Sequence, residues 1–173
     1  MDRIEKENNK LGCSECQCAV EERRIFVVDG RSVCATCLYG EAEPFEIYPI
    51  GTVRNGLHRS ESGFGTTGSG VESRIELLPS QERFLYRLED EEHITIVYYL
   101  HKIRSIKSIF NRGLDNKRTG VFATRTPDRL SRIGIQDVKL VKIEETTLYV
   151  EGLDAIDGTP VLDIKMCWSK VCK

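Results

Sequence analysis

Two pairs of cysteines near the start of the chain restrict what this segment can fold into more than any other feature. Cys13 and Cys16 form one pair, Cys34 and Cys37 form the other, and 17 residues separate the pairs. Two cysteines at this spacing let a tight turn present both sulfurs to one ion, and two such pairs complete the tetrahedral sulfur coordination that zinc prefers. The spacing therefore predicts a four-cysteine Zn²⁺ site.

The residues between the pairs predict a β-hairpin. Ile25–Val28 and Arg31–Val33 are short apolar-rich runs, and the dipeptide Asp29-Gly30 between them tolerates the positive φ angles of a tight turn. A hairpin flanked by cysteine pairs is typical of a zinc ribbon. Because four thiolates leave no open position for water, the predicted role of the metal is structural.

The other cysteines leave alternatives open. Cys18 would replace Cys16 as a ligand only by breaking the two-residue spacing, and a redox role for Cys13 and Cys16 leaves the second pair unexplained. Cys167 and Cys172 fit no ligand spacing, so we expect them to be free thiols.

The rest of the chain predicts a mainly β fold, a small β-barrel. The predicted strands are Phe45–Val53, Ser73–Leu78, His93–Leu100, Gly120–Arg125, Ile135–Ile143, Thr147–Leu153 and Val161–Ile164. Helix is predicted only at Ser80–Leu88 and His101–Phe110, and the Gly- and Ser-rich stretch Arg54–Val71 is expected to be a binding loop or lid. Gly and Pro interrupt the apolar pattern near residue 43, so we expect a zinc ribbon over residues 1–43 and a barrel over 44–173.

Positive charge is concentrated in one segment, although the net charge is only −2. Residues 101–132 carry nine Lys or Arg against two Asp, whereas residues 1–100 carry 11 against 18 Asp or Glu. Such a cluster can neutralise several phosphates if the fold gathers it on one face, and the alternative is a solvated stretch that balances the acidic half. With no run of about 18 apolar residues and no signal peptide, we expect a cytoplasmic protein without membrane association.

Four blocks of sequence follow one another in the order of a known family. They are Ile50–Arg54, His93–His101, Gly120–Pro127 with Arg129, Ile133 and Gly134 after it, and Leu148–Lys165. Over roughly Ile47–Lys165 the chain resembles the TrmO family, once known as YaeB-like or TsaA-like proteins. The resemblance implies a small barrel, commonly a homodimer, that binds S-adenosylmethionine without a Rossmann sheet. It also implies an enzyme that N-methylates threonylcarbamoyladenosine next to the tRNA anticodon.

The resemblance further implies roles for individual residues. The cofactor contacts would be Asn55, Gly56, Leu57, His93, Arg112, Phe122, Leu153, Asp154, Ala155 and Ile156, and the substrate side would be Thr124, Arg125, Arg129 and Arg132. Asp154, Asp157 or His93 would accept the proton that an amide-like nitrogen loses on methylation. Both Asp157 and His93 have structural alternatives, since Asp157-Gly158 has the composition of a turn and His93 opens a predicted strand.

The chain departs from the family pattern on the substrate side. Arg54-Asn55-Gly56 stands where the family has Arg-Ser-Pro, Ser131-Arg132 where it has Asn-Pro, and Phe110-Asn111-Arg112 in place of a double-proline arginine motif. Two alternatives therefore stay open: a methyltransferase acting on a different RNA or small molecule, and a non-catalytic zinc-ribbon module that binds RNA or protein. Gly63–Gly68 fits the G-x-G-x-x-G string, but polar residues precede it and a β-like run follows, so a flexible loop is predicted there.

Overall fold

The computed structural model of the chain is mainly β and describes residues 9–58, 72–113 and 115–168. The strands of these residues are β1 (Lys10–Gly12), β2 (Ala19–Glu21), β3 (Ile25–Val28), β4 (Arg31–Cys34), β5 (Gly51–Arg54), β6 (Glu72–Leu77), β7 (His93–Tyr99), β8 (Ser105–Ile106), β9 (Ile109–Asn111), β10 (Arg118–Gly120), β11 (Ile133–Glu144), β12 (Thr147–Glu151) and β13 (Pro160–Met166). One α-helix, α1, spans Ala35–Tyr39, and 3₁₀ turns cover Glu22–Arg24, Pro79–Phe84, Leu88–Asp90 and Val121–Ala123. Within the described ranges, no helix has the length and apolar character needed to cross a membrane.

The described residues form two compact units, each discontinuous in sequence. One contains the chain from residue 9 to Phe45 together with Ile103–Arg112 and Lys117–Leu130. The other contains the described residues of Glu46–Lys102, Gly113–Asn116 and the chain from Ser131 onward. The domain division expected between residues 43 and 44 stays a prediction.

A closed barrel forms the larger unit, with strand order β11–β12–β6–β5–β13–β7. All neighbouring strands are antiparallel, and the 12-residue strand β11 closes the barrel because it pairs with both β12 and β7. Along β7, Ile94, Ile96 and Tyr98 are buried and alternate with partly exposed residues, as expected for a strand with one face in a core. Leu148 and Val150 of β12 join them in that core. The predicted mainly β barrel is confirmed.

Gly134 gives the barrel one position where a larger residue does not fit. A Cβ atom at Gly134 would overlap the ring of Tyr98, which faces it across the β7–β11 pair and is itself only 7% exposed. We expect Gly134→Ala to lower the free energy of unfolding by about 1–3 kcal/mol, as overpacking of a core does. Urea unfolding at neutral pH measures the change. In the control Gly120→Ala the nearest atom to the new Cβ is the Ser108 oxygen at 3.9 Å, so equal losses in both variants would contradict the steric explanation.

The cysteine ribbon belongs to the smaller unit. Strands β1 and β2 are antiparallel, and β3 and β4 form the predicted hairpin, whose turn residues Asp29 and Gly30 have φ angles of 49° and 78°. Strand β8 adds to the free side of β3 in parallel, with Val27 opposite Ser105 and Val28 opposite Ile106. The segment around Ser105 and Ile106 is thereby hydrogen-bonded to the ribbon.

Two predictions for the segment after β7 were wrong. The stretch predicted as the helix His101–Phe110 contains strand β8 and most of β9, because non-local partners, β3 and β10, supply its hydrogen bonds. Half of the stretch predicted as the strand Gly120–Arg125 is a 3₁₀ turn, at Val121–Ala123. Thr124 stabilises that turn, since both its backbone N and its Oγ1 donate to the carbonyl of Val121.

Smaller corrections concern element ends and one cysteine. Of the predicted strand Phe45–Val53 only the part from Gly51 is strand, and the predicted helix Ser80–Leu88 consists of 3₁₀ turns broken at Arg87, whose φ is 63°. Cys167 is disulfide-bonded, so the expected free thiol is wrong there. Most of the predicted loop, with Gly63–Gly68, lies outside the described residues, as does Cys172.

Candidate functional site

The four predicted zinc ligands lie together. The sulfur atoms of Cys13, Cys16, Cys34 and Cys37 are all within 4.8 Å of one another. Cys13 Sγ is 3.8 Å from Cys37 Sγ, and Cys16 Sγ is 3.8 Å from Cys34 Sγ. A tetrahedral site with Zn–S bonds of about 2.3 Å places its sulfurs about 3.8 Å apart, so this donor set fits a Zn²⁺ ion.

Backbone N–H groups surround these sulfurs. Cys13 Sγ accepts from the N–H groups of Glu15 at 3.4 Å and Cys34 at 3.3 Å, and Cys34 Sγ accepts from Cys37 at 3.4 Å. The N–H of Cys16, followed by that of Cys34, lowers the pKa of Cys13 to about 6, whereas the side chains of Cys34 and Cys16 raise the pKa of Cys37. Neighbouring thiolates repel one another, so the four ionise together only around a cation.

The local chain explains which cysteines take part. Cys13 begins a turn closed by the Cys13 N–H donating to the Cys18 carbonyl at 3.0 Å, and Cys34 caps the N-terminus of α1. Cys18 is exposed and its thiol contacts the Cys16 carbonyl at 3.6 Å, outside the group of four. The structure therefore places Cys16, and not Cys18, in the cluster.

A second group of predicted residues meets at one end of the barrel, where β5 ends. The Asn55 side chain donates to Ser73 Oγ at 3.0 Å and to the Ala155 carbonyl at 2.7 Å, and it accepts from the Leu57 N–H at 3.0 Å. The Asp157 carboxylate accepts from the N–H groups of Asn55 at 3.0 Å and Gly56 at 3.3 Å. These bonds fix residues 55–57 against residues 155–157.

The turn that follows β12 is held from its other side by Gln136 of β11. Gln136 Nε2 donates to the Gly152 carbonyl at 2.5 Å, and its Oε1 accepts from the Asp154 N–H at 2.9 Å. Leu153 and Ala155 are each only 4% exposed and pack into the barrel core, whereas Asp154 between them is exposed. Any ligand of this turn therefore meets its backbone and the Asp154 carboxylate more than the Leu153 and Ala155 side chains.

The Asp154 carboxylate also acts on a buried phenol. Burial, and secondly the negative charge of Asp154, raise the pKa of Tyr98 to about 12. Tyr98 therefore stays protonated at neutral pH and keeps its hydroxyl as a donor. Asp154 is the one predicted catalytic carboxylate that stands exposed on a turn fixed from both sides.

Asp157 has a structural role, because its carboxylate holds the 55–57 loop. The N–H groups of Asn55 and Gly56, in that order, lower the pKa of Asp157 from its ordinary value of 3.8. A carboxylate with a lowered pKa is a weaker base, so these two N–H contacts argue against Asp157 as the proton acceptor.

The Asp157 carboxylate makes stability depend on pH with a defined sign. Because its pKa is lower in the folded state, its stabilisation is fully present above the unfolded value of 3.8 and is lost as pH falls through the folded value. We expect the isosteric Asp157→Asn to be less stable than the parent at pH 7, with the difference shrinking below about pH 4. Urea unfolding at pH 7, 4 and 3 measures it, and a difference that grows on acidification would contradict this role.

His93 lies elsewhere on the barrel. It opens β7 opposite Lys139 of β11, three residues from Gln136 along that strand, and it shares the outer face with Thr95 and Val97. Its Nδ1 is buried and has no hydrogen-bond partner among the described residues. The structure does not place His93 in the hydrogen-bonded group at residues 55–57 and 152–157.

The remaining predicted residues divide between the two units. Arg112, Phe122, Thr124, Arg125 and Arg129 belong to the unit that contains the ribbon. Phe122 is 80% exposed on its 3₁₀ turn, and Arg129 donates from its guanidinium to the buried Thr124 carbonyl group at 3.1 Å. Arg132 belongs to the barrel unit, where its own carbonyl accepts from the Leu100 N–H at 2.8 Å.

The sequence did not predict the roles of several residues at the barrel end. Gln136 and Ser73 hold the turn and the loop, and Tyr98 is the phenol whose pKa Asp154 raises. His101 Nδ1 lies 3.5 Å from Thr159 Oγ1, and burial followed by the charge of Lys102 lowers the pKa of His101. No sequence signal singles out Gln136, since Asp137 and Lys139 of the same strand are also polar, and only the barrel register shows its partners.

A family model and two known relatives match much of this chain. The family model of the tRNA-methyltransferase O N-terminal domain matches residues 62–171, which leaves the four clustered cysteines outside the match. A probable S-adenosyl-L-methionine-binding protein of Methanothermobacter thermautotrophicus is 40% identical over 121 residues, 69% of this chain and 87% of that protein. The human tRNA (adenine(37)-N6)-methyltransferase is 34% identical over 117 residues, 66% of this chain and 26% of that protein.

Solved structures show the same likeness. The crystal structure of TrmO from Pseudomonas aeruginosa has a TM-score of 0.59 and 29% identity over 72% of this chain and 56% of that chain. This chain therefore spans only part of that protein and about a quarter of the human relative.

Proposed function

The chain belongs to the tRNA-methyltransferase O (TrmO) family, and from this premise we propose that it is an S-adenosylmethionine-dependent methyltransferase acting on tRNA. Its proposed product is N-methylated threonylcarbamoyladenosine next to the anticodon. The observation that carries the proposal is the barrel end where residues 55–57 and 152–157 are hydrogen-bonded together and Asp154 is left exposed. The names of the human and archaeal relatives support the activity and the cofactor.

The charge of the residues at the barrel end is opposite to that of the proposed cofactor's sulfonium. S-adenosylmethionine supplies an electrophilic methyl group on a positively charged sulfonium. The exposed Asp154 carboxylate is complementary to that charge, and Asn55, Gly56 and Leu57 with Leu153–Ile156 would hold the cofactor. Since the loop and turn are fixed by hydrogen bonds before binding, little ordering is needed on binding.

Methyl transfer from a sulfonium is an in-line displacement, so the protein contributes mainly by alignment of donor and acceptor. The acceptor nitrogen loses a proton, and Asp154 is the proposed group that takes it. Asp157 is proposed as a positioning residue that holds the 55–57 loop. Thr124, Arg125, Arg129 and Arg132 are proposed to contact the tRNA.

The ribbon is proposed to bind one structural Zn²⁺ through Cys13, Cys16, Cys34 and Cys37. Support comes from the 3.8 Å sulfur spacing and the N–H groups that donate to the sulfurs. We further propose a homodimer and, because tRNA is the substrate, a cytoplasmic location.

Transfer of labelled methyl groups tests the activity. The full chain is incubated with methyl-labelled S-adenosylmethionine and bulk tRNA from a strain that lacks this modification, and nucleosides are identified by mass spectrometry. Label on threonylcarbamoyladenosine is expected. Cofactor binding without transfer to tRNA would support a different RNA or small-molecule acceptor, and no cofactor binding would support the non-catalytic binding module.

A further inference from the structure

A groove lies in the unit that contains the ribbon. It has a volume of about 530 Å³ and is lined by Asp29, Lys107, Ser108, Ile109, Phe110, Asn111 and Arg118. All of these residues belong to this one unit. Asp29 comes from the tip of the cysteine ribbon's hairpin, and the others come from the basic segment, so both parts of the chain build the groove.

Cations outnumber carboxylates in the groove lining, with Lys107 and Arg118 against Asp29. The segments 103–112 and 117–130 of the same unit carry seven Lys or Arg and one Asp. Lys107 and Arg118 contribute cations to the groove lining itself, and Arg118 makes no salt bridge with any carboxylate of the described residues. A lining of this sign fits an anionic chain of phosphates.

The groove also presents an aromatic ring beside a cation. Lys107 Nζ lies 5.5 Å from the centroid of the Phe110 ring and 3.3 Å from Asp128 Oδ2. Half of the Lys107 side chain is exposed. Cations next to aromatic rings are the combination with which proteins bind single-stranded nucleic acid, since the cation meets phosphate and the ring stacks on a base.

Asp29 fixes the wall of this groove to the ribbon. Its Oδ1 accepts from the Ser108 N–H at 3.0 Å, its Oδ2 accepts from the Ser108 hydroxyl at 2.5 Å, and its own N–H donates to the Ile106 carbonyl at 2.9 Å. Together with the parallel pairing of β3 and β8, these bonds set the position of Lys107, which lies between Ile106 and Ser108. Both carboxylate oxygens are used within the protein, so Asp29 acts as a clamp and not as a ligand.

We propose that this groove, with Lys107, Phe110 and Arg118 as its contacts, binds single-stranded RNA of the tRNA substrate, and that Asp29 at the ribbon tip is the positioning residue that holds it. This inference rests on the proposed function and deepens it, because it gives the ribbon a task in substrate binding. The groove contacts phosphate and stacks on one base.

The first experiment measures RNA affinity of the full chain by fluorescence anisotropy with labelled bulk tRNA and with oligouridylate. Lys107→Gln with Arg118→Gln is expected to weaken binding of both RNAs and to reduce the slope of log affinity against log salt by about 1.4, since each lost phosphate contact on a single strand contributes about 0.7. Phe110→Leu is expected to lower affinity about fivefold or more through the lost stacking.

Lys142 provides a matched control on the barrel. It too lies beside a ring and a carboxylate, 4.2 Å from the Tyr149 centroid and 2.7 Å from Glu144 Oε1. Lys142→Gln should leave RNA affinity and its salt slope unchanged. Equal affinity in the Lys107/Arg118 variant and the parent, or an equal loss in the Lys142 variant, overturns the groove assignment.

The second experiment separates position from charge at Asp29. Asp29→Ala removes both acceptors and is expected to weaken RNA binding, although it also removes a negative charge, which by electrostatics alone would strengthen it. Asp29→Asn tolerates the positive φ and keeps one acceptor, so it should restore affinity to the parent's level or above. Tighter binding by Asp29→Ala overturns the positioning role. Zinc content of each variant confirms that the ribbon is intact.

Measuring cofactor binding tests the groove assignment and the proposed methyltransferase function separately. The Lys107/Arg118 and Asp29 variants should bind S-adenosylmethionine as the parent does. If the parent methylates tRNA and the groove variants bind RNA normally, the groove assignment fails while the function stands. If the parent binds RNA through the groove but takes up no cofactor, the methyltransferase assignment fails and the groove stands.

Discussion

Replacing Cys13 by serine is expected to release zinc from the protein and to unfold the ribbon. Cys13 is 3% exposed, and its sulfur receives N–H groups from both turns, so no other atom can take its place in the coordination sphere. A serine hydroxyl remains protonated at neutral pH and is a poor zinc ligand. Structural zinc contributes about 10–16 kcal/mol of apparent binding free energy in zinc-finger peptides, which exceeds the stability that so few residues gain from packing.

Metal analysis and hydrogen exchange measure this result. The parent should contain one zinc per chain and Cys13→Ser almost none, with fast exchange at β3 and β4 and unchanged protection in the barrel strand β7. Cys18→Ser is the matched control, because Cys18 lies five residues away but outside the sulfur cluster. Full zinc content in Cys13→Ser, or equal loss in Cys18→Ser, would rule out the four-cysteine site.

Replacing Asp154 by asparagine is expected to slow methyl transfer by about 10²–10⁴-fold at saturating cofactor, the range that a positioned general base contributes. The substitution keeps the shape of the side chain and leaves the Asp154 N–H bond to Gln136 in place, so the turn should keep its structure. The basic oxygen is lost together with the negative charge, so the rate is compared at saturating cofactor. Single-turnover rates on tRNA with both substrates saturating measure the effect.

Two further substitutions show whether the loss is specific. Asp157→Asn should change cofactor affinity more than the rate at saturation, since Asp157 holds the 55–57 loop. Asp137→Asn, one residue from Gln136 and exposed, should change neither. If Asp154→Asn reduces cofactor affinity but not the saturated rate, Asp154 is a binding residue and the proposed proton transfer is wrong.

The cysteine site was predictable because its chemistry is local. Each pair spans four residues, and the turn residues Asp29 and Gly30 fix the hairpin that brings the pairs together. Four or five cysteines in one short segment have few uses other than metal binding, so the spacing predicted the four ligands with Cys18 as an alternative to Cys16. Which of Cys16 and Cys18 takes part was the one ambiguity, and it follows from turn geometry.

The segment after β7 was not predictable in the same way. Residues 101–110 have no strong local preference, and their structure depends on β3, about 80 residues earlier in the chain, and on β10. The 3₁₀ turn at Val121–Ala123 carries β-forming residues but is held by Thr124 and by the Val121 N–H donating to the Ser108 carbonyl. In the first place strand partners elsewhere in the chain decided the structure, and in the second the hydrogen bonds of the turn overrode the β propensity of its residues.

By itself the sequence determined the cysteine site, the alternation of buried and exposed residues that produces a β-barrel, and the blocks that identify the family. Each of these features is a pattern among residues close together in the chain, so it can be recognised without knowing which distant segments meet. Tertiary structure alone decided that Asp157 holds a loop while Asp154 stands exposed, that Gln136 fixes the turn, and that the ribbon tip pairs with the basic segment. Those placements depend on which distant strands become neighbours, since only the fold brings the N–H groups of Asn55 and Gly56 to the Asp157 carboxylate.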